Sequence, residues 1–408
     1  LSITIKKNEN FAELVNFKKN QNEPIHSWFN IKEGYSKTLV LKLIDDLKIQ
    51  RGYIIDFFNG SGTSCLSAKE REYSYYGFEV NPFLYLLSEV KLSDYTEKEI
   101  EEMLELKKEI LKNYKKNDQY DKVKLSIAEK AFKENLEDIL KTRMEIFKIK
   151  KKKFRKFFII AMCSIFDKVS YAKKDGNGLK YPKNKKVRKF ILAFDEKVET
   201  MLLDLKKNEK RNQQNSKVIM QDSRNLKKQT EKEIKESAAL VVFSPPYANC
   251  FDYTEIYKLE LWLSNCVEEY DDLKKIRNSS LSSHLNKNFG AYCEHNFLKN
   301  YCKKIEKQKN WSNKIIKMIN EYFFDMEKTI KMSYSALKKG GYCVIVVGNS
   351  AYLGNVIKTD EIFSKIAQKI GFREIEINIA RKLRASSQQA KILKKRESLR
   401  ESVIIMKK

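Results

Sequence analysis

An α/β fold built on a mostly parallel sheet is predicted by three stretches of this 408-residue chain. The first, Tyr53 to Val80, reads strand, glycine loop, helix, strand, with an acid near its end. The second, Leu240-Val241-Val242-Phe243, is a short apolar run with β-branched members that Pro245-Pro246 brings to a stop, since proline fixes φ and lacks an amide donor. The third, Tyr342 to Gly348, is an apolar strand entered from a long helical pattern through Lys339-Gly340-Gly341. Strands separated by helical patterns imply βαβ units and therefore a parallel sheet.

In chain order, residues 1–23 are polar with few apolar anchors, and the expectation is a segment lying across the surface. Order begins at Pro24-Ile25-His26-Ser27-Trp28-Phe29, and Ser36 reads as the N-cap of an amphipathic helix through Leu39 to Ile44. Tyr53 to Phe58 reads as a buried strand, Asn59-Gly60-Ser61-Gly62-Thr63 as a tight loop, and Ser64 to Ala68 as the start of a helix. Ser74 to Val80 is the next strand, ending in Asn81-Pro82. This is the opening unit of a Rossmann-like nucleotide-binding fold. The glycines admit a ligand to the backbone, and Glu79 can accept two hydrogen bonds from ribose hydroxyls. With no G-x-G-x-x-G and no Walker lysine, a phosphate-rich ligand has little support.

Between Thr96 and Ser216 the pattern changes to dense charge with apolar residues at helical spacing, as in Ile100, Met103, Leu104 and Leu106. We expect a helical insert over 97–215, dividing an α/β domain made of 1–96 and 216–408. Two basic clusters flank its apolar helices: Phe147 to Lys156, with Lys150, Lys151, Lys152 and Lys153, and Lys180 to Lys189, with Lys185, Lys186 and Arg188, after a Gly176-Asn177-Gly178 turn. They read as a phosphate-contact surface or as a solvated face. The α/β pattern resumes at Ser216 to Arg224, a strand carrying Asp222 at its end. A helix is expected from Tyr253 to Leu263, then polar irregular chain over 264–310 around Asn278 to His284, then a helix from Trp311 to Leu337. Asp360 to Ile370 reads as a helix, and Glu374 to Ile379 and Ser402 to Met406 as strands.

Ser244-Pro245-Pro246-Tyr247 forms a stiff loop at the carboxyl end of a strand, where open α/β sheets bind ligands. It offers a hydroxyl, carbonyls without ladder partners and a phenol ring. Such acceptors suit a flat amine, and the ring gives that amine's base a stacking face. The plain alternative is a Pro-Pro turn with a packed tyrosine.

Composition narrows the partner. There are 81 Lys and Arg against 54 Asp and Glu, a net charge of +27. That excess favours a polyanion through counterion release, with a lysine-biased composition as the competing explanation. No compact basic amphipathic helix with an apolar anchor stands out for a membrane surface. No run approaches the ~18 apolar residues of a membrane span, and Leu1 to Asn10 lacks the apolar core of a signal peptide. Cys65, Cys163, Cys250, Cys266, Cys293, Cys302 and Cys343 form no CxxC pair, which fits reduced thiols in a cytoplasm. Cys293, His295 and Cys302 fall short of the four regularly spaced ligands of a zinc site, so no metal is expected.

Asp56-Phe57-Phe58-Asn59-Gly60-Ser61-Gly62-Thr63 resembles the cofactor loop of the S-adenosylmethionine-dependent DNA amino-methyltransferases, usually Asp-Pro-Phe-x-Gly-Ser-Gly-Thr. Gly77 to Pro82 is similar to their ribose-binding strand end, Gln221 to Arg224 to their adenine-side acid, and Ser244 to Tyr247 to their catalytic loop. Leu337 to Tyr342 and Arg396-Glu397-Ser398 also fit; the likeness covers about residues 24–95 and 216–408. It implies a class I methyltransferase fold with a seven-stranded sheet, S-adenosylmethionine held by Asp56, Phe58, Gly60, Ser61, Gly62, Thr63, Glu79, Asn81 and Asp222, and catalysis at Ser244, Pro245, Pro246 and Tyr247. Phe29, Ser36 and Lys37 would close over the methionine end. Double-stranded DNA is the implied partner, with a cognate restriction endonuclease beside it, and base flipping the implied access route. Phe57 stands where the family has Pro, and the cofactor loop precedes the catalytic loop. The serine form of the catalytic loop favours the exocyclic amine of cytosine; adenine, RNA and an inactive DNA-binding subunit are the alternatives. The basic insert and 264–310 compete as target-recognition regions.

Overall fold

The computed structural model describes residues 2–116, 120, 121, 123–176, 178–207, 216–290, 294–306, 313–352, 354–383 and 399–408. Asn177, Cys293, Trp311 and the Arg396-Glu397-Ser398 motif lie outside them.

The centre is an eight-stranded sheet: β1 (Thr4–Lys7), β2 (Tyr53–Asp56), β3 (Tyr75–Phe78), β4 (Lys217–Ile219), β5 (Ala238–Phe243), β6 (Leu337–Gly348), β7 (Arg373–Lys382) and β8 (Arg400–Lys407). Their order is β1-β7-β8-β6-β5-β2-β3-β4, and every neighbouring pair is parallel except the two that β8 makes, with β7 and β6. Side chains alternate between two buried faces. Ile54, Leu240, Val242, Val344 and Val403 pack on one; Ile55, Val241, Phe243, Ile345 and Ile404 pack on the other. Burial on both sides is why these strands read as unbroken apolar runs.

The strand count departs from the seven expected. β1 adds an eighth, pairing in parallel with β7 from Thr4↔Glu376 to Lys7↔Ile379. All four of its side chains are exposed, so backbone hydrogen bonds hold it and no apolar alternation marked it. The surface segment expected over 1–23 is also corrected, because Phe11, Leu14, Val15 and Phe17 are buried.

Leaving β2, the chain runs outward to β3 and β4, then returns to β5 and proceeds the other way through β6. The sheet therefore has a topological switch point between β2 and β5, where a crevice opens at the strands' carboxyl ends.

The region between β3 and β4 is mainly helical: Glu97–Asn113, Leu136–Lys148, Lys152–Ser164 and Phe190–Lys207 are its longer helices. They share a buried cluster with the amino-terminal segment. Phe157 meets the Trp28 indole edge-on at 5.8 Å, and Asp204 accepts hydrogen bonds from Trp28 Nε1 (2.8 Å) and the Ile25 amide (3.1 Å). A small hairpin, Lys173–Asp175 with Gly178–Lys180, carries Lys174 into a buried ion pair with Glu260 at 2.5 Å. The helix expected from Tyr253 to Leu263 is broken into Tyr253–Ile256 and Lys258–Leu263. No helix among the described residues is long and apolar enough to cross a membrane.

Candidate active site

At the switch point lies an open cleft. Its walls come from the loop after β2, the end of β3, Gln221 to Arg224 after β4, Ser244 and Pro246 after β5, and two segments that sequence reasoning did not place there, Ile31 to Tyr35 and Ser279 to His284.

The floor is set by Asp56, buried at the end of β2. Its carboxylate accepts from the Ser64 hydroxyl (2.6 Å), the Phe58 amide (2.9 Å) and the Tyr35 phenol (3.0 Å). Burial pushes its pKa up to about 6 despite those donors. Phe57 lies nearly parallel to Phe78, with ring centroids 5.4 Å apart, so the residue that departs from the family's proline extends an aromatic floor.

Glu79 stands opposite the glycine loop. It accepts from the Gly60 amide (2.8 Å) through one oxygen, and from the Val80 (2.9 Å) and Asn81 (2.8 Å) amides through the other. Burial nevertheless raises its pKa to about 7, the three amides pulling the other way. Asn81 caps the helix Pro82–Leu92, its side-chain oxygen accepting from the Phe83 and Leu84 amides. Its Nδ2, and both polar atoms of the Asn59 side chain, are buried without a hydrogen-bond partner among the described residues. Both residues line the cleft, and unpaired buried polar atoms are costly unless a ligand or water meets them.

Asp222 lines the far side, gripped by Arg224 through Nε (2.8 and 3.0 Å) and Nη2 (2.6 Å). The same guanidinium reaches Asp325 (2.5 Å) and the Ser279 carbonyl (2.8 Å), tying the Ser279 to His284 wall to β4. Nearer the Ser-Pro-Pro-Tyr loop, Asp252 accepts from Arg277 Nε (3.0 Å), Asn286 Nδ2 (2.8 Å) and the Thr254 hydroxyl (2.7 Å).

The structure thus brings Asp56, Phe58, Gly60, Ser61, Thr63, Glu79, Asn81, Asp222, Ser244 and Pro246 into one cleft. Pro245 and Tyr247 are not among its lining residues. Others need correction. Ser36 is fully buried as a helix N-cap, accepting from the Leu39 amide (3.3 Å) and donating to the Leu14 carbonyl (3.0 Å), so it has no hydroxyl to offer a cofactor. Lys37 pairs with Glu23 and Glu70, each at 3.0 Å, and Phe29 packs against Phe83 and Tyr257. The wall they were expected to form is made by Ile31 to Tyr35 instead. Gly62 caps the helix Thr63–Glu70 at φ +80°, and a Cβ there would meet Ser88 Cβ at 3.0 Å. It serves the turn and the helix contact, not the cleft lining.

The basic clusters are partly spent inside the fold. Lys151 pairs with Glu102, Lys153 with Glu99 (2.8 Å) and Arg188 with Glu196 (2.6 Å), while Lys185 donates to the Asp167 and Ala172 carbonyls. Lys150, Lys152 and Lys186 are exposed and make no ion pair among the described residues. The 264–310 region, expected to be irregular, contains the helices Tyr270–Ser279 and Lys299–Glu306. Tyr35, Asn59 and Arg224 went unassigned by sequence reasoning although two of them sit inside the quoted motifs. No cluster of three or more His, Cys, Asp or Glu side chains among the described residues is arranged to hold a metal ion.

The chain matches no protein-family model. Comparison with characterised proteins gives long alignments. It is 28% identical to the type II methyltransferase M.BsoBI of Geobacillus stearothermophilus, over 97% of this chain and 88% of that protein. It is 27% identical to the type II methyltransferase M.AvaI of Nostoc sp. and of Anabaena variabilis, over 97% of this chain and 89% of theirs. A switch-point cleft walled by a glycine loop, a strand-end acid and a Ser-Pro-Pro-Tyr loop is therefore found in a chain that is, over nearly all of its length, a relative of type II methyltransferases.

Proposed function

We propose that this protein transfers a methyl group from S-adenosylmethionine to the exocyclic amine of cytosine in double-stranded DNA, giving N4-methylcytosine at a specific site, as the modification partner of a restriction endonuclease. The observation that carries the reading is that Ser244 shares one cleft with Gly60, Glu79 and Asp222. The cleft residues fit the cofactor. Glu79 would offer its carboxylate to ribose hydroxyls, the Asn59 side-chain amide and Asn81 Nδ2 would meet polar atoms, Asp222 would take the adenine side, and Phe57 and Phe78 would give an apolar surface. Bound there, S-adenosylmethionine supplies a methyl group already activated by its sulfonium.

The protein's own part is alignment. An aromatic amine is a poor nucleophile because its lone pair is delocalised into the ring. The Ser244 hydroxyl and the Pro245 carbonyl accept from that amine and favour the pyramidal form that attacks. Two prolines hold these acceptors still, so little reorganisation is needed during transfer. Tyr247 offers its ring to a base taken out of the duplex. The test is transfer of labelled methyl to DNA, with the nucleosides separated after digestion. Label in N4-methylcytosine is expected; label in N6-methyladenine moves the substrate to adenine, and label confined to RNA overturns the reading.

A further inference from the structure

Tyr247 is held by a row of residues that crosses four neighbouring strands. The register pairs Arg381 of β7 with Glu401 of β8, and Glu401 with Gly348 of β6; Tyr247 follows the next strand, β5. The Tyr247 phenol donates to Glu401 Oε1 at 2.7 Å, and Arg381 Nε donates to Glu401 Oε2 at 2.5 Å. Glu401 is 3% exposed, so both oxygens are spent on these partners in a dry place. The ring lies against Gly348: a Cβ built there would come within 2.8 and 2.9 Å of two ring carbons, and within 2.8 Å of Leu383 Cδ1. A side chain at 348 would therefore push the ring away. Burial first, and then the Glu401 charge, raise the phenol's pKa well above its usual value, with the Ser244 hydroxyl pulling the other way. The phenol thus stays a donor across the working pH range.

A tyrosine packed for stability alone does not require a buried carboxylate at its tip, since an exposed phenol can bond to water. Here one side of the ring is fixed by bare backbone and the tip by a carboxylate that an arginine holds in turn. The ring therefore has one orientation, one position after the Pro246 that edges the cleft. We infer that Glu401 is a positioning residue: with Gly348 as its seat, it holds the Tyr247 ring ready for the extruded base. The inference rests on the methyltransferase reading above. Fixing the ring beforehand removes an ordering cost from the step in which the base arrives, so the benefit falls on transfer and not on cofactor binding.

The experiment is a double-mutant cycle on the full chain, with plasmid DNA and labelled S-adenosylmethionine, following single-turnover transfer and, by calorimetry, cofactor affinity. Glu401→Ala should slow transfer by about 10- to 100-fold, the usual effect of losing a hydrogen bond to a charged group, with cofactor affinity unchanged. Glu401→Gln keeps an acceptor for the phenol and should recover most of that rate. Tyr247→Phe should slow transfer comparably, and adding Glu401→Ala to it should cost little more, since the two act as one unit. If Glu401→Ala does not fold, Gly348→Ala reaches the same seat through the ring and should slow transfer with cofactor affinity intact. Full transfer in Glu401→Ala or Gly348→Ala, or multiplicative losses in the double variant, overturns the seat while leaving the methyltransferase reading in place. An inactive wild-type protein overturns that reading and the seat with it.

Discussion

In the proposed site Glu79 would join two demands, ionised to accept from ribose and buried to be selective. Burial moves its pKa to about 7, which gives a definite sign to the pH dependence. Ribose hydroxyls donate to the ionised form, so S-adenosylmethionine affinity should strengthen as pH rises towards about 7 and level off above it. The ligand-free fold behaves oppositely. A carboxyl raised in the folded state contributes stability that is full below the ordinary value of 4.5 and lost as pH rises through about 7. Calorimetric titrations between pH ~6 and ~8.5 should show the first trend in the wild type and a flattened one in Glu79→Gln. Glu79→Ala should weaken binding by about 1.5–3 kcal/mol, the range for hydrogen bonds to a charged group. Unchanged affinity in both variants would remove Glu79 from the site. Glu79 and Ser244 were legible as cleft residues because each directly follows a buried strand, and Asp222 because it closes the stretch after a third, short one. Asn59 and Tyr35 were not, because a lone amide and a lone phenol acquire meaning only from what the fold sets beside them.

The elements divide by what holds them. β2, β3, β5 and β6 are buried and apolar, and their sequences show it; β1 is held by backbone hydrogen bonds and shows nothing. The Ser279 to His284 wall read as the centre of a polar irregular stretch and not as part of the cleft, because the arginine that places it is 55 residues upstream of Ser279. Arg224 is the clasp of that element. Its side chain is 8% exposed and bridges Asp222, Asp325 and the Ser279 carbonyl. Arg224→Ala removes the cation that two acids share, so we expect a loss of about 3 kcal/mol in denaturant unfolding, at the low end for a broken buried pair because Asp222 keeps some solvent and Asp325 keeps Lys287 at 4.0 Å. Cofactor affinity should fall with it, since one wall is released. Wild-type unfolding and affinity in this variant would show that the wall stands by itself.

Across the whole molecule, +27 of net charge is not distributed as the sequence alone implies. Glu102, Glu99 and Glu196 pair with Lys151, Lys153 and Arg188, whereas Lys150, Lys152 and Lys186, like Lys183 and Lys189, are exposed and make no ion pair among the described residues. DNA affinity should fall with salt at a slope near −0.9 per phosphate neutralised. Replacing Lys150, Lys152 and Lys186 with Gln should flatten that slope by up to about 2.7, whereas replacing Lys151, Lys153 and Arg188 should change it little. Equal effects from the two triples would mean that the ion pairs open on DNA. All of these expectations converge on one chemical event at the strand end that carries Ser244, and methyl transfer to DNA measures it directly. With labelled S-adenosylmethionine, the wild type should place its label in N4-methylcytosine. Ser244→Ala should bind cofactor and DNA as before but transfer far more slowly, because the lost interaction strengthens only in the transition state. Full transfer by Ser244→Ala, or DNA left unlabelled by the wild type, would contradict the account.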